Sequence, residues 1–554
     1  MHAVGNERPE LESYKYDMPG EDHVMQSELF LFDIATMEGA TITEPEGESW
    51  TDQNISIPTQ REFYYPADDT KKPRVWLSAA SDLLYYIRTD RGRHRVSLMA
   101  ADLGTGGATI RTVIANTSNT YIDRGYDMGS GKCALMKSGD IVWWSEEDGW
   151  GHLYRYSPSG ELVSRLTKGP WHVDGFTGFD VEETTVFLEG CGKEAGEDPY
   201  YKHIYSAPLS GGDVTLLDVG DADHTGISLC ESGAYFVENT SRVDSIPVVT
   251  LRNAQSGLVV MELESADFSQ LLGAGFKFPE PFTAKADDGV TDIYGVMYKP
   301  YDFDPAKRYP IVAYVYPGPQ TEAVSKSFAA SPTEQGMAQF GMIVVTLGNR
   351  GGHPDRSKYY HNYGYGNARD YGLADKKTVL EQLGDRHSFV DLSRVGIYGH
   401  SGGGFMSTAA MLVYPDFFKC AVSSSGNHEN EIYNRSWSET HNGVKETMDD
   451  DGQAVFESII DRNSELAHNL KGRLMLTTGD VDNNVHHGGT FRMAHALMEA
   501  RKRFDFFIFP GERHGYIGQM ANYWFWLRAE CKYTRTLPLL VTSQYQFERL
   551  LVMP

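Results

Sequence analysis

Val395-Gly396-Ile397-Tyr398-Gly399-His400-Ser401-Gly402-Gly403-Gly404-Phe405-Met406 is the stretch that decides how this chain folds. The apolar strand pattern of Val395 to Tyr398 runs into Gly399-His400-Ser401-Gly402-Gly403, a G-x-S-x-G match, and then directly into an amphipathic helix expected over 403–414. A serine on a sharp strand-to-helix turn needs neighbours without side chains, because the helix must pass close to the strand it has just left. A Gly/Ser-rich connection in isolation is a weak signal. Between a strand and a helix it marks a serine presented to a reacting group.

Outward from Ser401, strands and helices alternate. Strands are expected at 311–316, 342–347, 395–398, 419–423, 473–477 and 505–509, with helices near 368–383 and at 490–502. That alternation predicts a mostly parallel sheet covered by helices on both faces. From about residue 27 to 270 the pattern differs, with short alternating strands such as 83–88 and 96–101 broken by Gly, Asp and Ser turns and no helical period. Units of roughly 45 residues recur, as in 134–167, and about five of them suggest the blades of a β-propeller, the first, near 28–33, being incomplete. A pair of β-sandwiches is the rival reading of the same strands. The expected fold is therefore two domains, all-β and then α/β: a partial β-propeller at 1–275 and an α/β-hydrolase domain at 276–554.

The 554 residues carry 50 Lys and Arg against 76 Asp and Glu, a net charge of −26, so the summed field repels phosphate backbones and nucleic acid is not an expected partner. No window approaches the ~18 apolar residues of a membrane span, and the first residues lack a secretory signal pattern. Compartment stays open on these grounds. The five cysteines, Cys133, Cys191, Cys230, Cys420 and Cys531, are scattered, form no CxxC pair and read as buried apolar residues.

A serine hydroxyl needs a neighbouring imidazole to take its proton, and in this architecture the partners follow in the order acid, then histidine, on loops after later strands. The strand at 473–477 leads into Gly479-Asp480-Val481-Asp482-Asn483-Asn484-Val485, and the strand at 505–509 leads into Gly511-Glu512-Arg513-His514-Gly515. His514 is the candidate general base and Asp482 the carboxylate that orients it, with Asp480 the nearest rival. His400, His486 and His487 are further histidines, but none follows its own strand as His514 does. An oxyanion needs two donors. The Gly402 N–H is the default first, and the Tyr316 hydroxyl, before Pro317-Gly318-Pro319, is the candidate second. This chemistry requires no metal and no organic cofactor.

Taken together, these residues resemble the prolyl oligopeptidase family of serine peptidases, in its dipeptidyl peptidase IV branch. The resemblance rests on Tyr316-Pro317-Gly318-Pro319, Asn349-Arg350-Gly351-Gly352, Gly399 through Gly404, Gly479 through Val485 and His514-Gly515, with a propeller-like match from Trp143 to Trp171. It implies a propeller joined to an α/β-hydrolase domain, Ser401 as nucleophile, Asp482 as acid and His514 as base. It also implies Tyr316 as oxyanion donor, Asn484 as the group that binds a substrate carbonyl, and Tyr433 with Val485 as walls of a pocket for proline or a small residue. The branch holds a free amino terminus with paired glutamates preceding the stretch that Glu12 to Glu21 resembles. On that alignment the motif falls before residue 1, as in an amino-terminally shortened chain. Relatives of this kind are often exported. The expected activity is hydrolysis of short peptides after proline or a small residue. The alternatives are an esterase or acylaminoacyl-type hydrolase, and a catalytically impaired propeller binding protein. A homodimer is allowed, with Leu537-Pro538-Leu539-Leu540-Val541 as a candidate contact.

Overall fold

The computed structural model describes residues 13–21, 27–33, 35–42, 54–56, 59–60, 74–75, 83–103, 109–123, 131–318, 320–448, 454–458 and 460–516. The segment 537–541 and Cys531 lie outside them.

Among the described residues the amino-terminal half has four antiparallel sheets of four strands each; in three of them all strands pair in chain order, while in the first Asn54–Ser56 pairs with Leu83–Thr89, passing over a separate ribbon of Thr59–Gln60 with Arg74–Val75. The second sheet is typical: Cys133–Leu135, Ile141–Ser145, His152–Tyr156 and Leu162–Arg165 pair in chain order. A two-stranded ribbon, Phe30–Asp33 with Glu38–Thr41, precedes them at the position expected for an incomplete first unit. One apolar cluster joins three successive sheets through Tyr85, Trp143, Trp144, Leu153, Trp171, Leu188 and Tyr205. Both faces of the inner strands are thus covered, and all five residues of Ile141–Ser145 are buried. Sheets stacked this way are propeller blades, not the halves of a sandwich.

The carboxy-terminal half holds one eight-stranded sheet: β1 (Glu280–Lys285), β2 (Asp292–Tyr298), β3 (Tyr309–Tyr314), β4 (Ile343–Leu347), β5 (Val390–His400), β6 (Cys420–Ser424), β7 (Arg473–Gly479) and β8 (Asp505–Phe509). The order is β1-β2-β4-β3-β5-β6-β7-β8, and every pairing from β4 onward is parallel. Strands buried on both faces read as continuous apolar runs, which is why β4 and β5 were visible in the sequence. Helices α1 (Leu373–Arg386) and α2 (Gly402–Val413) share a core with this sheet through Leu380, Leu383, Met406 and Ala410. Two features differ from expectation. β3 ends at Tyr314, so Tyr316 stands in the turn beyond it, where Pro317 cannot donate to a ladder. The cysteines also differ: of the four described, only Cys191 is buried, whereas Cys133 and Cys420 are half-buried and Cys230 is exposed. Cys230 sits in a hairpin turn where its sulfur accepts the Tyr235 N–H.

The two halves are joined by buried polar contacts. His361 of the sheet domain places Nε2 2.7 Å from Glu146 of the second blade and Nδ1 3.1 Å from the Tyr121 hydroxyl. Burial opposes the charge on each partner, but their mutual attraction outweighs it, holding His361 above and Glu146 below its ordinary pKa. The His361 contribution is then complete below its unfolded value of about 6.5 and is lost as pH rises through the raised folded value. The Glu146 contribution is present above its unfolded value and is lost as pH falls through the lowered one. His203 and His353, each beside an aspartate and also raised, carry the alkaline sign. Melting temperature should therefore fall as pH rises above about 6.5, and His361→Gln should flatten that slope in a pH series of thermal melts. A slope unchanged by the substitution would refute the assignment.

Candidate active site

Ser401 has φ 57° and ψ −121°, a conformation costing on the order of 1–3 kcal/mol that persists only when its surroundings enforce it. The enforcement is visible. Its N–H donates to the Ser424 carbonyl at 2.7 Å, tying the turn to β6. A Cβ on Gly399 or Gly403 would lie 2.2 or 2.0 Å from the Val315 carbonyl oxygen, so only glycine lets α2 leave β5 this close to the end of β3. The same approach brings Tyr316 beside the helix start. Gly402 opens α2, where the first four N–H groups have no intrahelical acceptor.

Asp482 and His514 stand on the loops after β7 and β8, at the same carboxyl edge of the sheet as Ser401. His514 Nδ1 lies 2.8 Å from Asp482 Oδ2. Asp482 is 1% exposed, and its Oδ1 accepts the N–H groups of Asn484 and Val485 at 3.0 Å each. Asp480 points elsewhere and accepts the Gly511 N–H at 2.6 Å. His400 packs its ring 4.5 Å from that of His514 and bonds Ser424 Oγ through Nδ1. Burial and then the charge of His514 push His400 down to about 4, so it is a neutral neighbour at physiological pH. His486 and His487 stack on each other at the start of α4 (Gly488–Glu499), with His486 Nδ1 accepting the Gly488 N–H.

Both halves of the chain are similar to known proteins. The profile of the Prolyl oligopeptidase family matches residues 328–536, and that of the Dipeptidyl peptidase IV N-terminal region matches residues 1–247. The chain belongs to the prolyl oligopeptidase family. Curated relatives of this family member include human dipeptidyl peptidase 8, 28% identical over 362 residues, covering 63% of this chain and 39% of the relative. Mouse prolyl endopeptidase FAP is 24% identical over 375 residues, covering 67% and 48%. The chain thus aligns with about two fifths to a half of the length of these relatives. Among solved structures, Porphyromonas gingivalis dipeptidyl peptidase 4 superposes with a TM-score of 0.79 at 21% identity, covering 96% of this chain and 69% of that one. A putative dipeptidyl aminopeptidase IV from Bacteroides ovatus gives 0.77 at 22%, covering 95% and 72%.

In this family member the pocket residues read from the resemblance gather near the acid loop. Exposed Asn484 places its side-chain oxygen 3.3 Å from the Tyr433 hydroxyl, and Val485 is buried behind it at 3% exposure. Tyr433 precedes α3 (Arg435–Asn442), whose cap Asn434 accepts the Trp437 N–H. Sequence reasoning missed Trp437, whose ring stands edge-on to that of Tyr433 at 5.5 Å. The signal was its i+4 spacing from Tyr433 across an Asn cap. It also missed Tyr516, which stacks on Phe509 and bonds Ser425, fixing the path of the His514 loop.

Two groups among the described residues have ligand atoms close enough for a metal ion: His203 with Asp218 and His224, and His172 with Asp174 and Asp355. In the first, His203 lies between Asp218 and Glu197, and Arg252 pairs with Glu238 beside His224. In the second, the Lys202 ammonium contacts both aspartates. The protein's own cations thus accompany these carboxylates. A cavity of about 430 Å³ near the second group lies between the two halves, lined by Tyr200, Lys202, Glu322 and Lys326.

Proposed function

We propose that this chain is a serine peptidase that cleaves short peptides after proline or a small residue through an acyl-enzyme. The observation that carries the reading is the buried Asp482 carboxylate bonded to His514 Nδ1 at the sheet edge where Ser401 sits on its strained turn. In this reading His514 Nε2 takes the Ser401 proton as Oγ attacks the carbonyl, and Asp482 stabilises the imidazolium that forms. The Tyr316 hydroxyl and Gly402 N–H receive the oxyanion, His514 returns the proton to the leaving amine, and water then repeats the sequence on the ester. Asn484 would hold the substrate's backbone carbonyl, with Tyr433, Val485 and Trp437 around the residue before the scissile bond. The propeller would act as a size filter over the site.

Hydrolysis of Gly-Pro p-nitroanilide beside its N-blocked counterpart tests this. Turnover of the free-amine substrate alone assigns dipeptide removal, and equal turnover assigns an endopeptidase. Hydrolysis of simple esters with neither anilide cleaved would overturn the peptidase reading. The proposal extends to a homodimer, supported by the exposed apolar side chains of Val259, Val260, Met261 and Leu263 on a rim strand. Sedimentation as a monomer at micromolar concentration would remove that part.

A further inference from the structure

Ser13 to Glu21 runs along the start of α3 and against the acid loop, more than 400 residues away in sequence. It is held at three points. The Tyr16 hydroxyl donates to the Asn484 backbone carbonyl at 2.5 Å, the Arg435 N–H donates to the Asp17 carbonyl at 3.0 Å, and the Gly20 N–H donates to Glu439 Oε1 at 3.0 Å. Glu439 is itself paired with Arg91 of the first blade, both side chains 1% exposed, so the anchor is rigid. Tyr16 is thus tied to the Asp482–Val485 turn through the Asn484 carbonyl, while the adjacent Asp17 is tied to the start of α3 through the Arg435 N–H. Burial, and then Tyr433 nearby, hold the Tyr16 phenol above its ordinary range, so it remains a neutral donor.

Asn484 is consequently gripped by two tyrosines. Tyr16 takes its backbone oxygen and Tyr433 its side-chain oxygen. With Oδ1 turned toward Tyr433, the Nδ2 group is left to donate outward, and Asn484 is exposed to receive a ligand. We propose that Tyr16 is a positioning residue that, through the Asn484 carbonyl, aims the Asn484 amide at the substrate's backbone carbonyl. This rests on the peptidase reading above. The hydrogen bond acts equally on bound substrate and on the transition state, so its loss appears in KM, not in kcat.

Tyr16→Phe keeps the ring and removes the donor. It should raise KM for Gly-Pro p-nitroanilide by about 3- to 10-fold, the worth of one hydrogen bond, with kcat within about twofold. p-Nitrophenyl acetate, which has no second carbonyl for Asn484, should be hydrolysed at the wild-type rate. The double variant with Asn484→Ala should lose no more than Asn484→Ala alone, because the two residues act through one contact. An unchanged KM, an equal loss on the acetate ester, or losses that multiply in the double variant would each overturn the role. Wild-type turnover separates the two levels. If the wild type cleaves no anilide, the peptidase reading falls and this inference with it. If it does and Tyr16→Phe matches it, only the inference falls.

Discussion

Ser401→Ala should reduce kcat on Gly-Pro p-nitroanilide by about a millionfold, the loss seen when the nucleophile of a triad is removed. The residual rate would come from substrate binding and oxyanion donors, which survive the substitution. Alanine occupies the same positive-φ position with one fewer polar atom, and the turn is enforced by the Ser401 N–H bond to Ser424 and by the glycines at 399 and 403. Melting temperature should therefore remain near wild type, and labelling by a fluorophosphonate should vanish. Retained turnover in a folded Ser401→Ala protein would eliminate the covalent mechanism.

Asp482→Asn should cost about 10⁴-fold in kcat with little change in KM. The carboxylate accepts three hydrogen bonds, from the Asn484 and Val485 amides and from His514 Nδ1. An asparagine brings a donor where all three partners donate. It then loses either the loop bonds or the His514 contact, and His514 adopts the tautomer that cannot take the Ser401 proton. Asp480→Asn is the control. Among the described residues its Oδ1 receives the Gly511 N–H, which an amide oxygen serves equally, so activity should stay close to wild type. Equal losses at 480 and 482 would mean that Asp482 acts on the loop's shape instead of on the imidazole.

The parts of the site legible in the sequence are those carried by local pattern. The turn at Ser401 announces itself because an apolar strand, a glycine-flanked serine and a helix follow within a dozen residues. His514 was legible for a similar reason, standing just after a strongly apolar strand. The choice between Asp480 and Asp482 was not, since two carboxylates two residues apart on one loop satisfy the same spacing. The resemblance favoured Asp482, and the fold brings that residue to His514 while sending Asp480 to Gly511. Trp437 was overlooked because a single aromatic on a short helix reads as packing.

By itself the sequence determined the two grammars of the chain, the alternation of β4 and β5 with helices, and the strained serine. These follow from periodicity and from steric rules that act over a few residues. What only tertiary structure decided is which distant groups converge. Tyr16 reaches Asn484 across 468 positions, and Glu146 meets His361 across 215. No local pattern encodes such pairs, because a buried hydrogen bond depends on where two backbones meet after the cores of both halves have packed.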